Sequence, residues 1–286
     1  MLARDIMPRD RETTPPVLEI RPRRPWEWPR LAELWEYREL FLFLAWREVQ
    51  VRYRQTLIGT AWAILQPLLG MVVFSLFFGR LAKVPSDGVP YPLFSYVGLL
   101  AWTFFAGAVS GAAASLVGAG NLIQKVYFPR VVVPASAVLA ATVDLGPSLF
   151  AAGGLMWWFG ASPRVEMFAA LGFFAIAVVA ALGVGMGLAA LNVEYRDVRY
   201  ALPFALQLWM FSTPIVYPGS LVPERWRALY SLNPMASVVD GVRWALLGTP
   251  PPPASAVAAG ALAAIVMFAV GLAYFHRVER TFADVI

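Results

Sequence analysis

The sequence predicts an all-α integral membrane protein that crosses the bilayer six times. Its 286 residues are 59% hydrophobic and only 14% charged, whereas soluble domains carry about a quarter charged residues. A helix needs about 20 apolar residues to cross the hydrocarbon layer. Runs without a charged residue reach or approach that length at 55–79, 88–124, 145–163, 167–193, 200–223 and 244–275. A very apolar soluble protein would not need such runs.

The chain before the first run divides into two parts. Residues 1–30 carry repeated prolines and arginines, which disfavour a helix and predict a flexible cytoplasmic arm. This start lacks a short apolar core with a small-residue cleavage site, so we expect the first span to act as an uncleaved insertion signal. From 31 to 46, apolar residues share one helical stripe and glutamates share another. That pattern predicts an amphipathic helix lying along the membrane surface.

Six spans follow from the charge-free runs. The third becomes long enough only when it extends backward across Asp144. The spacings Gly107/Gly111 and Gly183/Gly187 are weak indications that helices pack closely at these points. The predicted spans are 57–79, 93–117, 132–158, 167–190, 200–217 and 254–275.

The distribution of lysine and arginine predicts the orientation. An even number of spans puts both termini on one side of the membrane. With the N-terminus inside, the cytoplasmic segments contain most of these residues, chiefly in the N-terminal part, as the positive-inside rule requires. The formal net charge of +5 then reflects cytoplasmic loop bias, and we predict no nucleic-acid partner.

The longest predicted outer segment, 218–253, contains a further apolar helix. Apolar residues recur at helical spacing from Met235 to Leu246, with Asp240 and Arg243 on the other side. Residues 235–247 are too few to cross the bilayer, so we predict a short re-entrant or surface helix.

The residue inventory excludes several kinds of chemistry. No Gly-x-x-x-x-Gly-Lys-Ser/Thr loop is present, so the chain has no usual site for nucleotide phosphates. The single histidine, His276, and the absence of cysteine leave no Ser/His/Asp set and no metal cluster. We therefore predict a protein that is not an enzyme and binds no metal or cofactor of its own.

Asp144 is the one acid predicted at membrane depth. One interpretation is a proton or ion site. The other, which we favour, is a structural acid satisfied by nearby backbone or hydroxyl groups, beside a helix break at Gly146-Pro147. The sequence suggests no intramembrane Lys, Arg or His partner for it, and an isolated acid is a poor proton relay.

Two predicted cytoplasmic loops carry unusual residues. The first loop mixes polar, apolar and aromatic side chains. Apolar and aromatic side chains exposed on a loop indicate docking to a partner. The second packs acids and arginines together, which fits either a belt of interfacial side chains or a rigid salt-bridged elbow that transmits motion from the partner. The residues are Asn121, Leu122, Ile123, Gln124, Lys125, Val126, Tyr127, Phe128, Pro129 and Arg130, then Glu194, Tyr195, Arg196, Asp197 and Arg199.

Aromatic residues are abundant in the predicted spans, and most should face lipid or neighbouring helices. Aromatic walls would nevertheless suit a sugar in a membrane pore, because rings stack on the C–H faces of sugars. The candidates for such a wall are Trp62, Phe74, Trp209 and Phe211, although composition alone does not select them.

Six segments, in order from about residue 40 to the C-terminus, resemble one family. They are similar to the membrane permease subunits of ABC transporters that export polysaccharides: O-antigen, capsule and teichoic acid. No single segment is decisive, and residues 1–30 lie outside the resemblance. The segments are Arg52-Tyr53-Arg54-Gln55-Thr56 with Gly59 and Trp62-Ala63-Ile64-Leu65-Gln66-Pro67; Lys125-Val126-Tyr127-Phe128-Pro129-Arg130; Asn192-Val193-Glu194-Tyr195-Arg196-Asp197-Val198; Pro214-Ile215-Val216-Tyr217-Pro218; Leu232-Asn233-Pro234-Met235; and Phe282-Ala283-Asp284-Val285-Ile286.

The resemblance implies an architecture and partners. Residues 31–286 would form the transmembrane domain of a homodimer, joined to two copies of a separate ATPase that binds ATP and Mg. Residues 121–130 would be the coupling helix, and 31–46 the interface helix. The outer gate would contain Asn233, Pro234, Met235, Val239 and Val242.

The resemblance also implies a cargo. It would be a glycan on an undecaprenyl-pyrophosphate-type lipid, moved outward across a bacterial inner membrane, with O-antigen the first candidate. Arg47, Arg52 and Arg54 precede the first span. They are candidates for binding the pyrophosphate, because a guanidinium matches phosphate through its planar fork. Ordinary positive-inside anchoring explains them equally well.

Two other function classes stay open. A self-contained carrier or channel driven by an ion gradient would transport without a partner and depend on Asp144. A membrane-embedded glycan transferase would need acids or a base at the surface, and segment 218–253 offers only Glu224 and Asp240.

Overall fold

The computed structural model describes residues 35–54, 59 and 61–282. The predicted arm 1–30, the start of the predicted interface helix and residues 283–286 lie outside the described residues. Those described form helices and no strand. The helices are α1 Arg38–Tyr53, α2 Ala61–Phe74 with its π-helical continuation Ser75–Leu81, α3 Tyr91–Gly118, α4 Gly120–Lys125, α5 Val132–Val143, α6 Leu145–Trp158, α7 Ala169–Glu194 preceded by a 3-10 turn at Val165–Phe168, α8 Val198–Phe211, a 3-10 turn at Gly219–Leu221, α9 Glu224–Ser231, α10 Pro234–Leu247, and α11 Ala254–Val278 followed by a 3-10 turn at Glu279–Thr281.

Five helical segments in the described part of the chain are long and apolar enough to cross a membrane. They coincide with five of the six predicted spans, because a charge-free run of this length has one stable form in lipid, a helix that satisfies its own backbone. Their bounds are Ala61–Leu81, Tyr91–Gly118, Val132–Trp158, Val165–Glu194 and Ala254–Val278.

The predicted fifth span, 200–217, is not a continuous helix of that length. Helix α8 ends at Phe211 and has 14 residues, which reach about 21 Å. Pro214 has no backbone N–H to continue the helix. The following residues continue as turns beside α3, where the Tyr91 hydroxyl donates to the Val216 carbonyl at 2.7 Å. The prediction of a full-length helix here was therefore wrong.

The third span consists of α5 and α6, joined at Asp144, whose own backbone is in the helical region. Pro147 lies in the first turn of α6, where a missing N–H is tolerated. The Tyr96 hydroxyl donates to the Ser148 carbonyl at 3.0 Å and ties this junction to α3. The predicted helix break is thus a local junction inside one span.

Helices α3 and α7 form the centre of the bundle, and α10 packs against both. Helix α2 lies at the edge and buries only Pro67, while α8 buries only Leu206. A second buried cluster, at the predicted cytoplasmic end, joins Leu44 of α1 to Ile123, Phe128 and the start of α5. The bundle is therefore well packed around α3 and α7 and sparsely packed at α2 and α8.

The two predicted glycine pairs behave differently. A side chain added at Gly183 would meet the backbone of α11 at Met267, and Gly271 of α11 lies against Gly183 in turn. The pair Gly183/Gly187 therefore permits close helix packing, as predicted. Gly107 and Gly111 approach no other helix backbone among the described residues, so packing does not explain them.

Helix α1 differs from the predicted interface helix 31–46 in its extent. It continues to Tyr53, beyond the predicted end at residue 46. Leu44 and Ala45 are buried against the bundle, whereas Leu42, Phe43 and Trp46 are exposed. Apolar side chains thus occupy two faces, one for the protein and one suited to the membrane surface.

Candidate functional site

A cavity of about 330 Å³ opens between the last turn of α1, helix α2, the middle of α3 and the junction of α5 with α6. Its wall on α3 runs from Leu100 to Gly107, in the central part of that 28-residue helix. The cavity therefore reaches the middle of the bundle. Its lining residues are Arg52, Tyr53, Gly59, Trp62, Ala63, Gln66, Pro67, Leu100, Thr103, Phe104, Gly107, Ala141, Asp144, Leu145 and Ser148.

Charged groups form the base of this cavity. Arg52 Nη1 donates to Asp144 Oδ2, and the Tyr53 hydroxyl donates to Asp144 Oδ1. The Arg52 side chain is 33% exposed and that of Asp144 is 23% exposed. The expectation that Asp144 has no basic partner was wrong, because α1 extends far enough to carry Arg52 to the α5–α6 junction.

Aromatic and neutral polar groups form the walls above that base. Trp62 and Phe104 supply rings, while Gln66 and Thr103 supply an amide and a hydroxyl. A cavity with apolar walls and a few polar groups is typical of a site for an organic ligand. Gly107 leaves the α3 wall without a side chain, and the Arg52 guanidinium lies close to Gly111. Both glycines therefore provide space along α3.

The other predicted arginines do not line the cavity. Arg47 pairs with the neighbouring Glu48 at 3.3 Å, and Arg54 is exposed at the end of α1. Among the predicted pore aromatics, Trp62 lines the cavity, whereas Phe74 makes an edge contact with Phe78.

The two remaining pore candidates, Trp209 and Phe211, lie near the end of α8. Trp209 packs edge-on against Phe105, with 5.0 Å between the ring centroids, and it donates to Asn233 Oδ1 at 3.0 Å. Phe211 is largely exposed. Only Trp62 of the four candidates thus shares a cavity with a candidate arginine.

The predicted partner-binding loop 121–130 contains the short helix α4. Ile123 and Phe128 are buried in the second cluster, so their expected exposure was wrong. Tyr127 is 76% exposed, and Val126 is exposed beside it. Arg130 donates to the Glu279 carbonyl and lies over the Phe282 ring. The loop is therefore anchored by apolar residues and presents Tyr127 outward. The remaining residues have mixed exposure: Asn121, Gln124 and Lys125 are exposed, and Leu122 and Pro129 are intermediate.

The predicted elbow contains no ion pair among its own acids and arginines within the described residues, so the salt-bridged interpretation was wrong. The four charged residues of the elbow are all exposed: Glu194, Arg196, Asp197 and Arg199. Tyr274 of α11 lies 3.4 Å from Glu194. A hydrogen bond with the Glu194 carboxylate raises the pKa of the exposed Tyr195 phenol. Backbone turns hold the elbow, with Asp197 accepting at the start of α8.

The predicted outer-gate residues lie inside the subunit. Met235, Val239 and Val242 are fully buried between α10 and the central helices. Asn233 precedes Pro234 at the start of α10, and its side chain accepts from the Met235 N–H at 3.1 Å. The Asn233 amide also donates to Thr213 Oγ1 at 3.0 Å. These residues thus connect α10 to the turn after α8.

Arg243 is the residue that the sequence interpretation missed. It was placed on the polar side of α10, yet it is only 1% exposed. Its guanidinium donates to the carbonyls of Phe94 and Ile215, at 3.1 and 2.6 Å, and to that of Pro214. It also stacks on the Phe94 ring and lies 3.7 Å from Asp240. Arg243 therefore donates to the Pro214 and Ile215 carbonyls, which lie beyond the end of α8, and joins them to Phe94 of α3.

Among the described residues, no three His, Cys, Asp or Glu side chains come together as a group that could hold a metal ion. The Arg52–Asp144 pair thus stands as the charged centre of a cavity built otherwise from aromatic and neutral polar groups.

One protein family and several named proteins are similar to this chain. A family model described as ABC-2 type transporter matches residues 39–247. The O-antigen export system permease protein RfbA of Myxococcus xanthus is 32% identical over 257 residues, covering 89% of this chain and 98% of the relative. The protein of the same name in Klebsiella pneumoniae is 24% identical, covering 87% and 95%. The polysialic acid transport protein KpsM of Escherichia coli is 24% identical, covering 72% and 80%.

Proposed function

This chain belongs to the ABC-2 type transporter family, and on that premise we propose that it is the permease subunit of an ATP-driven polysaccharide exporter. O-antigen is the first candidate for the exported glycan, because the O-antigen permease of Myxococcus xanthus covers 89% of this chain at 32% identity. Capsular polysaccharide or teichoic acid comes next. The sequence contains no phosphate-binding loop of the usual kind, so ATP hydrolysis with Mg is assigned to a separate ABC ATPase.

The observation that carries this proposal is the cavity with a charged base and aromatic walls. A lipid-linked glycan joins a pyrophosphate to sugars in one molecule. The Arg52 guanidinium suits the pyrophosphate through charge and its planar fork. Trp62 and Phe104 suit sugar C–H faces, and Gln66 and Thr103 offer hydrogen bonds to sugar hydroxyls. The undecaprenyl tail would stay in the surrounding lipid.

A second copy of the chain would complete the pore. Helices α2 and α8 bury fewer side chains than the central helices, and α2 exposes Leu69, Val72 and Phe77. An apolar gap of about 290 Å³ separates α7 from α8. We assign the dimer contact and pore lining to α2 and α8, with the cavity of each subunit opening toward the pore.

The proposed orientation places both termini in the cytoplasm of a bacterial cell, with the protein in the inner membrane. We assign the fifth of the six crossings to helix α8 and the irregular segment after it, because the chain passes from the elbow at 194–197 to the level of Tyr91. Irregular backbone is tolerated at membrane depth where protein side chains satisfy it. Here Arg243 donates to the Pro214 and Ile215 carbonyls, and Asn233 donates to the Ser212 carbonyl.

Tyr127 is the proposed centre of the contact with the ATPase. It is exposed on a segment whose neighbours Ile123 and Phe128 anchor it in the bundle. Changing Tyr127 to Glu should abolish co-purification with the ATPase without loss of the folded permease. Trp226→Glu, an exposed aromatic change on α9 near the predicted outer end, is the matched control and should leave co-purification intact.

The decisive experiment depletes the protein in its host and follows surface polysaccharides. Accumulation of one lipid-linked glycan on the cytoplasmic side, with loss of that glycan from the surface, supports the proposal and names the cargo. Transport by the purified chain without an ATPase, abolished by Asp144→Asn, would instead support an ion-coupled carrier. Accumulation of unjoined glycan and acceptor on the outer side would support a transferase.

A further inference from the structure

Asp144 holds Arg52 across a separation of 92 residues in the chain. Its two carboxylate oxygens are both engaged, Oδ2 by Arg52 and Oδ1 by the Tyr53 hydroxyl. Because Arg52 and Tyr53 form the last turn of α1, these contacts fasten the end of α1 to the α5–α6 junction. The ion pair is thus a tie between the surface helix and the third span.

The tie faces the cavity. Arg52, Tyr53 and Asp144 all line it, and the charged side chains keep about a quarter to a third of their surface exposed. Asp144 engages Arg52 through Nη1, and an arginine carries five N–H donors in a planar fork. An anion entering the cavity can therefore approach the same guanidinium that Asp144 holds.

We propose that Asp144 is an exchangeable counter-ion for Arg52, which the pyrophosphate of the cargo displaces and a phospholipid headgroup does not. This inference rests on the proposed function. A phospholipid phosphate diester carries no more charge than the aspartate it would replace, so it gains little by the exchange. A pyrophosphate carries more charge and can accept from the guanidinium fork at two oxygens. Asp144 thereby excludes the abundant phospholipid headgroups from a site that binds the pyrophosphate of the cargo.

The exchange also has a mechanical consequence. Displacement of Asp144 from Arg52 removes one of the two contacts between the last turn of α1 and the third span, and leaves the Tyr53 hydrogen bond as the other. Helix α1 contacts the second cluster through Leu44, and that cluster contains Ile123 and Phe128 of the proposed ATPase-binding segment. Occupancy of the cavity is therefore communicated to the segment that carries Tyr127, through α1 and without a further ligand site.

Lipid binding to the permease–ATPase complex in nanodiscs tests the exchange. The probes are undecaprenyl pyrophosphate and phosphatidylglycerol, each titrated with wild-type protein, Asp144→Asn and Arg52→Gln. Removal of the competing charge in Asp144→Asn should tighten binding of undecaprenyl pyrophosphate roughly tenfold, equal to about 1.4 kcal/mol. It should also produce binding of phosphatidylglycerol that the wild type lacks. Arg52→Gln should abolish binding of undecaprenyl pyrophosphate and should not gain binding of phosphatidylglycerol.

Tyr53→Phe provides a second variant in case Asp144→Asn folds poorly. It keeps the Asp144 charge and removes the hydrogen bond that Asp144 would retain after Arg52 leaves, so Asp144 should hold Arg52 more strongly and pyrophosphate binding should weaken. Unchanged or weaker pyrophosphate binding by Asp144→Asn, or unchanged or tighter binding by Tyr53→Phe, would overturn the exchange. So would a failure of Asp144→Asn to bind phosphatidylglycerol, since Asp144 would then not be the group that excludes this lipid.

Different results would contradict the Asp144 exchange and the lipid-pyrophosphate cargo. If wild-type protein binds undecaprenyl pyrophosphate through Arg52 but Asp144→Asn changes nothing, the exchange is wrong and the pyrophosphate site stands. If the wild type and every variant ignore the pyrophosphate probe, both the exchange and the lipid-pyrophosphate cargo are wrong. The charge-swapped pair Arg52→Asp with Asp144→Arg separates the ion pair from the binding site: it should keep the wild-type thermal stability but lose the preference for pyrophosphate.

Discussion

Two arginines at different levels of the bundle show what burial does to the same side chain. Arg243 is 1% exposed and donates to three backbone carbonyls from α3 and the interrupted fifth span. The Arg52 side chain is 33% exposed and faces a carboxylate across a cavity. Both are charged groups within the apolar part of the protein, but their partners differ in kind.

The kind of partner determines whether the arginine can change partners. Backbone carbonyls that lose a donor inside the bundle have no water to replace it, so release of Arg243 would leave several polar groups unsatisfied. Asp144 lies at the cavity and keeps the Tyr53 hydrogen bond if Arg52 leaves. Arg243 is therefore suited to holding the backbone in place, and Arg52 to exchanging one anion for another.

The largest expected effect on stability follows from Arg243→Met. The change leaves the Phe94, Pro214 and Ile215 carbonyls without this donor, and we expect a loss of about 3–5 kcal/mol in the free energy of unfolding. Thermal unfolding of the purified protein in detergent measures it. Arg243→Lys should recover only part of the loss, because one ammonium cannot follow the guanidinium fork to all three carbonyls. Wild-type stability in Arg243→Met would contradict the structural role.

Smaller changes in the free energy of unfolding are expected when a glycine at a helix contact and a glycine at the cavity wall are each replaced by alanine. Gly183→Ala places a methyl group against the α11 backbone and should cost about 1–3 kcal/mol by overpacking. Gly107→Ala adds a methyl group at the cavity wall, where nothing lies within 4 Å. It should be neutral or stabilise by up to about 1 kcal/mol, since alanine favours a helix. Equal effects of the two changes in the same thermal assay would contradict the packing difference.

Asn233→Ala should have an effect of about 1–2 kcal/mol, typical of losing a helix N-cap. The change removes the acceptor for the Met235 N–H and for Trp209, together with the donor to Thr213. Asn233→Asp keeps the acceptor for both N–H groups and should retain most of the stability. If Asp is as damaging as Ala in chemical denaturation, the contact with Thr213 matters more than the cap.

The spans show how far the sequence alone can predict this fold. Residues 93–117 were predicted as a span and Tyr91–Gly118 is a helix, because a long charge-free run in lipid requires internally paired backbone. The same reasoning extended the fifth span to 217, although α8 ends at Phe211. Apolar composition does not distinguish a helix from irregular backbone satisfied by a distant arginine. Pro214 was the local signal for the interruption.

The site was predictable only in its separate parts. Arg52, Trp62 and Asp144 were each identified from the sequence, yet no local pattern indicates that residues 52 and 144 touch. Their contact depends on two features: α1 continues to Tyr53, and the junction of α5 with α6 lies beside that end of α1. The burial of Arg243 likewise depends on carbonyls from two other segments. Spacing predicts which face a residue occupies on its own helix, but not what the rest of the fold places against that face.

The smallest change in stability, with a large loss of transport, is expected for Arg52→Gln. Glutamine can still donate to Asp144, and a partly exposed ion pair contributes at most about 1 kcal/mol, so the melting temperature should hardly move. Export of the glycan, followed as its appearance on the cell surface, should fall at least tenfold because the fork for pyrophosphate is gone. Arg47→Gln is the matched control: Arg47 pairs with Glu48 outside the cavity, so export should continue. Equal loss of export in both variants would mean that total positive charge on α1, rather than the position of Arg52 in the cavity, is what transport requires.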